Sequence, residues 1–535
     1  MSFESGSDLS LQSHWVDTFV ADAVEQNYSR HVAGVLHSLV RPARVSHPRL
    51  LLLSTGVADD LGFSPQFCAS DAFVQCMAGN ALLPGSRPYA TRYGGHQFGQ
   101  WAGQLGDGRA INLGEVHAKT GIQCLQLKGA GPTPYSRGAD GRAVLRSSVR
   151  EFLCSEAMHF LGIPTTRALS LVDTGDSVLR DMFYDGNVKE EPGAIVCRVA
   201  PAFTRFGHFQ LCAMKGEFDL LKQLLDFTIA HDFPKLHAHH CSGEIDKTAL
   251  YGAWFAEVCQ RTLTMLLGWM RTGFVHGVLN TDNMSILGLT IDYGPYGWLD
   301  NVDPHWTPNT TDAQMQRYTF AQQPPIVQWN LYQLANAVLP VTANRDALED
   351  SLVNFAREYE QRWREMMLAK LGLRPLSATE DDDLLSGLTQ VFAERETDLT
   401  IFYRRLADFD HEKADIPLAD FLADAFYDDA VRDDVPRESV NAWGLAYARR
   451  LALQAPDQQS RAAVMNSVNP CFILRNYLTQ EAIDRAGEQD FSMLHDLHEA
   501  LQSPYVENPR FSRFYEKRPD WARNRAGCSK LSCSS

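Results

Sequence analysis

The chain has 535 residues, of which 45% are hydrophobic and 21% charged, as in ordinary globular proteins. Its 49 basic and 65 acidic residues give a net charge of -16 at pH 7, which disfavours nonspecific binding to nucleic acid or anionic membranes, so any anionic ligand requires a local basic pocket. Apolar runs are too short for a membrane span, and the acidic N-terminus is atypical of a targeting peptide, so we expect a cytoplasmic protein.

The first predicted elements are glycine-punctuated strands between residues 86 and 128. Gly103, Gly106 and Gly108 have no side chain, and they therefore allow phosphates to approach the backbone closely. Arg109, which follows directly, adds a guanidinium that can hold a phosphate through two hydrogen bonds. Glycine-rich turns also occur in ordinary hairpins, so this segment alone is weak evidence for nucleotide binding.

Lys128 ends a strand of alternating apolar residues, and this position predicts an ammonium group at the mouth of a sheet. The simpler interpretation is a surface lysine. A kinase, however, pairs a strand lysine on the phosphates with a glutamate on a helix, and apolar residues at helical spacing predict a long helix between Arg142 and Leu161. Glu151 lies centrally in that helix and Glu156 less so, which makes Glu151 the predicted partner of Lys128.

Two arginines follow the next predicted strands. Arg198 comes directly after the apolar run 194–197, and Arg205 precedes Phe206-Gly207. Arginines usually lie on a solvated surface, but a pair around a strand-to-loop junction can also clamp a polyphosphate in this acidic chain. Asp140 and Gly141, before the long helix, have the composition of a turn.

The strongest chemical signal lies in the helical part of the chain. The segment His276-Gly-Val-Leu-Asn-Thr-Asp-Asn283, followed by Asp292-Tyr-Gly294, is similar to the catalytic loop H-x-D-x-x-x-x-N of kinases and their metal-binding D-x-G turn. Asn283 is in register, but Val278 occupies the position of the aspartate base. Such a chain is either an inactive kinase or an enzyme with different chemistry.

Asp282 is the obvious substitute for the missing base. It could also be a structural cap for the following segment, but beside Asn283 we favour a role as a base or as an organiser of the metal. Asn283 and Asp292 offer few, hard oxygen ligands, which suits a magnesium ion that keeps water and phosphate ligands. The sequence therefore predicts a magnesium site at Asn283 and Asp292.

Two further groups of reactive residues give weaker signals. The run from His237 to Cys241, with His231 nearby, has no matched second cluster to complete a tetrahedral zinc site, so we assign no metal there. Most of the 11 cysteines lie in apolar runs, as buried thiols do in a reducing compartment. Cys528 and Cys533 lie in a polar terminus, for which we favour an unstructured tail over a redox-accessible thiol.

The order of these elements predicts an α+β, protein-kinase-like fold with two lobes. A β-rich N-lobe with the glycine loop and the long helix would span residues 1–200, and an α-helical C-lobe with the catalytic loop would span residues 201–375. The polar stretch from Arg374 to Asp383 is typical of a linker or exposed loop. A helical C-terminal extension would occupy residues 376–535.

These motifs resemble the selenoprotein O (SelO/YdiU) family, protein adenylyltransferases with a kinase-like fold. The resemblance covers most of the chain, and it implies transfer of AMP from ATP to Ser, Thr or Tyr hydroxyls of proteins, with release of pyrophosphate. Its most specific stretches are Arg92-Tyr-Gly-Gly-His-Gln-Phe-Gly99, Gly106-Asp-Gly-Arg109, Leu127-Lys-Gly-Ala-Gly-Pro-Thr-Pro-Tyr-Ser-Arg137, Arg198-Val-Ala-Pro201, Arg205-Phe-Gly-His-Phe209 and residues 276–294.

The resemblance also implies roles for single residues. Glu151 would pair with Lys128, Asp282 would be the general base, and Asn283 with Asp292 would bind magnesium, with manganese as the alternative ion. ATP would lie inverted relative to its position in kinases, so that the α-phosphate faces the acceptor and the triphosphate tail needs new cationic partners. The residues implied to contact ATP are Gly106, Gly108, Arg109, Lys128, Asp140, Gly141, Arg198, Arg205 and Asp292.

Two other functions stay open because of Val278: a catalytically inactive, nucleotide-binding pseudokinase scaffold, and a kinase that transfers the γ-phosphate. The expected partners are ATP and protein substrates, and neither nucleic acid nor a membrane is expected as a partner. UMP transfer is left open.

Cys533 matches the position of selenocysteine in some family members, which makes it a redox candidate. Some relatives pair this residue with a cysteine shortly after the D-Y-G turn, but residues 300–309 contain none, and Cys528 is a possible local partner.

Overall fold

The computed structural model describes residues 10–410, 416–427, 437–454 and 457–532. The strands are β1 His37–Leu39, β2 Arg49–Leu53, β3 Tyr89–Thr91, β4 Gly94–Gln97, β5 Gln100–Gln104, β6 Ala110–Ala118, β7 Gly121–Lys128, β8 Ala143–Val144, β9 Arg167–Arg180, β10 Lys189–Ala200, β11 Phe274–Val275 and β12 Gly297–Trp298. The α-helices are α1 His14–Thr18, α2 Thr55–Asp60, α3 Pro65–Cys68, α4 Asp71–Met77, α5 Leu145–Phe160, α6 Phe206–Met214, α7 Phe218–Asp232, α8 Pro234–Cys241, α9 Lys247–Thr272, α10 Gln323–Thr342, α11 Arg345–Lys370, α12 Ala378–Glu394, α13 Leu399–Asp408, α14 Leu418–Phe421, α15 Arg437–Gln454, α16 Gln458–Val468, α17 Asn476–Gly487 and α18 Ser492–Leu501.

One antiparallel sheet carries the strand that ends at Lys128. Its order is β1-β3-β6-β7-β10-β9-β2, and β8 pairs with β10 beside this path. Lys128 pairs with Ala110 of β6 and with Val196 of β10, and Arg198 of β10 pairs with Gln126 of β7. Because side chains alternate between the faces of a sheet, Lys128, Gln126 and Arg198 share one face.

Helix α5 packs against β9 and β10 and corresponds to the long helix predicted from the sequence. Its apolar residues are buried, and so is Glu151 among them. The chain leaves the helix through Gly162, whose φ of 74° lies in the left-handed region. Helices α17 and α18 also contact α5, which is therefore held between the sheet and the C-terminal part of the chain.

Helices α6 and α10 contact the catalytic loop, and α9 contacts the strand β11 that leads into it. Helix α9 begins at Asp246, whose carboxylate accepts a hydrogen bond from Ala249 N at 2.8 Å, and it ends at Gly273 in the left-handed region. The chain then enters β11, which pairs with β12, and the loop between these two strands contains residues 276–294. Strands β4 and β5 form a separate hairpin. Its strand β4 contacts both α6 and the 3-10 turn Thr281–Asn283.

The C-terminal helices belong to two groups. Helices α12 to α16 enclose a hydrophobic cluster around Phe402 and Trp443, whereas α17 and α18 join the main core with α5. The prediction of an exposed loop over residues 374–383 is wrong in part, because α12 begins at Ala378. Asp381 is buried there and pairs with Arg450 at 3.0 Å.

The prediction of an α+β protein with a helical C-terminal part is confirmed. The sheets are antiparallel, and α-helices predominate after β12. Throughout the described ranges, every helix is too short or too polar to cross a membrane. The predicted boundaries near residues 200 and 375 stay predictions.

Candidate active site

Lys128 and Glu151 meet between the sheet and α5. Lys128 Nζ lies 2.7 Å from Glu151 Oε2, and both side chains are buried. Burial lowers the pKa of Lys128 against the opposing charges of Glu151 and Asp292. The competing Glu156 pairs with Arg167 at 2.7 Å. Helix α5 therefore presents Glu151 to the strand lysine.

Arg198 and Arg205 converge on the carboxylate of Asp292. Arg198 Nη1 lies 2.5 Å from Asp292 Oδ1 and 3.2 Å from Glu151 Oε1, and Arg205 Nη1 bonds to Asp292 Oδ2. Both arginine side chains are only 2% exposed. Burial acts to raise the pKa of Asp292, but Arg205, Lys128 and Arg198 together hold it well below its usual value. The four charged side chains and Glu151 form one buried cluster.

The backbone of the D-x-G turn is held in an uncommon conformation. Asp292 has a φ of 60°, in the left-handed region that few non-glycine residues adopt. His276 Nε2 lies 3.0 Å from the carbonyl oxygen of Ile291, and Gly294 N donates to the carbonyl oxygen of Asp292 at 2.8 Å. The histidine of the catalytic loop thus fixes the turn that carries Asp292.

Asp282 lies in the 3-10 turn Thr281–Asn283, which the β4–β5 hairpin contacts. Its Oδ2 accepts a 3.3 Å hydrogen bond from Gln97 Nε2, and its buried Oδ1 has no hydrogen-bond partner among the described residues. Burial is the main cause that raises the pKa of Asp282 to about 6. A carboxylate with a raised pKa and an unpaired oxygen is suited to accept a proton.

The sequence did not predict that the β4–β5 hairpin covers the catalytic loop. His96 N donates to Thr281 Oγ1 at 2.8 Å, and a Cβ atom on Gly95 would lie 2.4 Å from Asp282 Oδ1. Glycine is therefore required at position 95 for this close approach. The adjacent pair Gly94-Gly95 is the only sequence signal, and by itself it predicts an ordinary turn.

Asn283 and Val278 are connected through the backbone of the loop. Asn283 Nδ2 donates to the carbonyl oxygen of Val278 at 2.9 Å, which leaves Asn283 Oδ1 as an acceptor. Val278 is 8% exposed and its side chain has no atom that accepts a proton. The oxygens of Asn283, Asp282 and Asp292 are hard donors that fit magnesium or manganese. Because arginines occupy the Asp292 carboxylate here, metal binding requires at least one of these ion pairs to exchange.

The glycine loop is shaped by close internal packing. A Cβ atom on Gly106 would lie 2.6 Å from the ring of Tyr135, and one on Gly108 would lie 2.9 Å from the carbonyl oxygen of Tyr135. Gly103 has open space around it instead. Burial is the main cause of the lowered pKa of Lys128, and the nearby positive charge of Arg109 lowers it further.

Asp140 and Gly141 lie in the loop between β7 and β8. The Asp140 carboxylate pairs with Arg180 at 2.7 Å and is 46% exposed. Burial acts to raise the pKa of Asp140, but its interactions with Arg180 and Arg142 outweigh burial and lower the pKa. Gly141, with a φ of 66°, packs so tightly that a Cβ atom would lie 2.1 Å from the carbonyl oxygen of Gly131. The contacts of Asp140 thus do not include the buried cluster around Asp292.

The predicted redox candidate Cys533 lies outside the described residues. Cys528 is buried, and burial raises the pKa of its thiol to about 12. Nearby, Leu531 forms a bridge with Asn309, and its N–H donates to the carbonyl oxygen of Pro308 at 2.8 Å. The interpretation of this terminus as an unstructured tail is therefore wrong for the described residues up to 532.

Comparisons with known proteins give consistent matches over nearly the whole chain. A family described as "Protein adenylyltransferase SelO" matches residues 23–502. A protein of Azoarcus sp. (strain BH72) named "Protein nucleotidyltransferase YdiU" is 54% identical over 528 residues, covering 98% of this chain and 99% of the relative. Proteins of the same name are 52% identical over 533 residues in Aromatoleum aromaticum, covering 99% of this chain and 100% of the relative, and 54% identical over 512 residues in Xanthomonas campestris pv. campestris (strain B100), covering 96% of each.

Proposed function

The chain belongs to the SelO family of protein adenylyltransferases and is a nucleotidyltransferase, and from this premise we propose that it transfers AMP from ATP to Ser, Thr or Tyr hydroxyls of other proteins. Pyrophosphate is the second product. UTP is an alternative donor, which would give UMP transfer by the same chemistry. The strand-rich part up to about residue 200 and the helical part that follows are proposed to be the two lobes of a kinase-like fold, with the nucleotide between them.

The observation that carries this proposal is the buried cationic cluster in a protein with a net charge of -16. Lys128, Arg198 and Arg205 surround Asp292. In phosphoryl and nucleotidyl transfer, the protein contributes mainly positioning and neutralisation of phosphate charge. A triphosphate that enters the cluster would take over the guanidinium groups, because Arg forms paired hydrogen bonds with phosphate oxygens. This exchange would release the Asp292 carboxylate.

We assign the general base to Asp282. Its carboxylate takes the proton of the acceptor hydroxyl, whose oxygen attacks the α-phosphorus of ATP. The bond between the α-phosphorus and the bridging oxygen breaks, and pyrophosphate leaves with that electron pair. Gln97, which donates to Asp282 Oδ2, would orient this carboxylate.

A divalent metal would be held by Asn283 Oδ1 and the carboxylate of Asp292. When bound, magnesium or manganese neutralises charge on the phosphates and orients them. The residues Gly106, Gly108, Arg109, Asp140 and Gly141 stay predicted nucleotide contacts. For Asp140 this contact requires its carboxylate to leave Arg180, with which it is paired in this structure.

Transfer of the γ-phosphate and the inactive scaffold are the alternatives, and Val278 is the reason for both. A valine at that position excludes the usual kinase base, but it does not exclude a base at Asp282, which is buried beside the cluster. The raised pKa and unpaired oxygen of Asp282 favour a catalytic function over the scaffold.

Position-specific labelling of ATP separates these functions. The full-length protein is incubated with a protein extract, magnesium, and ATP labelled at either the α- or the γ-phosphate. The proposal predicts that proteins acquire the α-label only, and that Asp292→Ala abolishes it. Asp382→Ala, which removes an exposed carboxylate paired with Arg364, is the matched control and should transfer normally. Transfer of γ-label alone would contradict the proposal, and bound ATP without transfer would favour the scaffold.

A further inference from the structure

A second cluster of ionisable side chains lies outside the candidate active site. His14 is in α1, Glu115 is on β6, and His231 with Asp232 ends α7. These segments are far apart in the sequence, and the fold brings them together at the side of the sheet. The side chains of Glu115 and His231 are 7% and 12% exposed, whereas His14 is 40% exposed and gives access from solvent.

The donor atoms of this cluster have the spacing of a metal site. Glu115 Oε2 contacts His14 Nδ1 and lies 3.6 Å from His231 Nε2, and the three donor atoms lie within 4.8 Å of one another. Tetrahedral zinc with bonds of about 2.0–2.2 Å requires ligand atoms about 3.3 Å apart. Adjustments of about 1 Å in side chains would therefore give three such bonds.

His231 is oriented as metal-binding histidines are. Its Nδ1 lies 2.7 Å from Asp232 Oδ1, and Asp232 is almost fully buried. A carboxylate on one ring nitrogen fixes the tautomer and aims the other nitrogen at the metal. That other nitrogen, His231 Nε2, is buried and has no hydrogen-bond partner among the described residues, because its 3.6 Å separation from Glu115 is too long for a hydrogen bond.

We propose that His14, Glu115 and His231 bind a zinc-class transition-metal ion, with a water molecule as the fourth ligand and Asp232 as the residue that positions His231. Two imidazoles and one carboxylate match the ligand preference of zinc better than that of magnesium or calcium. The ion would fasten α1 to the sheet and to α7. Trp15, which follows His14, already stacks on Tyr89 in this region.

The competing explanation places a proton where the proposal places the metal. Burial lowers the pKa of His231, but the hydrogen bond to Asp232 and the negative charges of Asp232 and Glu115 outweigh it and raise the pKa to about 10. A protonated His231 would then form an ion pair with the two carboxylates. Metal and proton cannot both occupy Nε2, so metal binding distinguishes the two explanations.

Cobalt(II) is the probe, because its visible absorption reports tetrahedral coordination. The full-length protein is freed of metal with a chelator and titrated with Co²⁺ in the presence of excess Mg²⁺, which competes for sites built from oxygen ligands alone. We expect one Co²⁺ per chain with tetrahedral bands, displacement by Zn²⁺, and a higher Tm with Zn²⁺. His14→Ala, which alters a partly exposed side chain, and Glu115→Gln, which keeps the shape of the residue, should each lose the bands and the Tm increase.

Two further variants sharpen the test. Asp232→Asn should weaken metal affinity about 10–100-fold while keeping the bands at saturation, as expected for a positioning residue. His237→Ala is the control for the exposed helix α8, where His237 lies 3.6 Å from Cys241 Sγ, and it should bind as the parent does. Absence of tetrahedral bands in the parent, or bands that persist in both His14→Ala and Glu115→Gln, would overturn the proposal.

Discussion

Replacing Asp282 by Asn should inactivate the enzyme and at the same time stabilise its fold. The substitution keeps the size of the side chain and its acceptor for Gln97, and it removes the charge. A buried carboxylate pays a desolvation cost when it ionises, and this cost appears as the raised pKa of about 6 for Asp282.

The size of both effects follows from the structure. A folded pKa of about 6 against an unfolded value of 3.8 corresponds to about 3 kcal/mol of destabilisation at pH 7, at about 1.4 kcal/mol for each pKa unit. Because the folded state binds the proton more tightly, this penalty is fully present above pH 6, shrinks as the pH falls, and vanishes below about pH 4. Loss of a general base lowers the rate about 10²–10⁴-fold.

Two assays on the same preparations test this reasoning. Free energies of unfolding from urea titrations between pH 4 and pH 8 should show Asp282→Asn more stable than the parent at high pH, with the curves meeting at low pH. Transfer of α-labelled AMP should fall in the variant, while ATP binding is retained. Asp382→Asn, at an exposed carboxylate, should change neither property. A variant with parental activity would refute the assignment of Asp282 as the base, and a variant that is less stable at pH 7 would contradict the desolvation cost.

The other predictions concern the groups around Asp282. Asp292→Asn should abolish metal-dependent ATP binding, measured by calorimetry, and lower the free energy of unfolding by up to about 3–5 kcal/mol, because two buried guanidiniums lose a shared carboxylate while Arg198 keeps Glu151; parental stability would contradict this. Gly95→Ala should displace the Asp282 carboxylate and reduce kcat about 10²-fold, whereas Gly56→Ala, with open space at its Cβ position, should not. The acidic limb of the pH–rate profile should lie near pH 6 and move to higher pH in Gln97→Ala, because the hydrogen bond from Gln97 lowers the pKa of Asp282; an unmoved limb would exclude this contact.

The parts of the site that the sequence predicted are those defined by local motifs. Lys128 and Glu151 follow from a strand end and a helical pattern, Asn283 follows from its fixed spacing to His276, and Asp292 follows from the D-x-G motif. The α+β class follows from strand signals that concentrate in the first part of the chain and helix signals that concentrate in the rest. In each case the information lies within a short segment, so one sequence is enough to read it.

The parts that the sequence did not predict depend on contacts between distant segments. Gly95 and Gln97 act on a loop almost two hundred residues later, and no periodicity in either segment indicates that contact. The same holds for α17 and α18, which pack on α5. Cys528 lies in a polar stretch that composition assigns to a mobile end, yet it is buried by tertiary packing.

The His14 cluster shows the same limit for metal sites. The sequence draws attention to the run around His239 because the histidines are adjacent, but on α8 they are largely solvent-facing and form no ligand set. His14, Glu115 and His231 share no motif, and only the fold brings their donor atoms within reach of one ion.

Attack of an acceptor hydroxyl on the α-phosphorus of ATP is tested most directly by the mass of the modified acceptor. A substrate protein captured from the extract is incubated with ATP, magnesium and the parent chain or Asp292→Ala, then analysed by mass spectrometry of its peptides. Adenylylation predicts that a Ser, Thr or Tyr residue gains one AMP group with the parent and nothing with Asp292→Ala. A gain of a single phosphate group with the parent would contradict it.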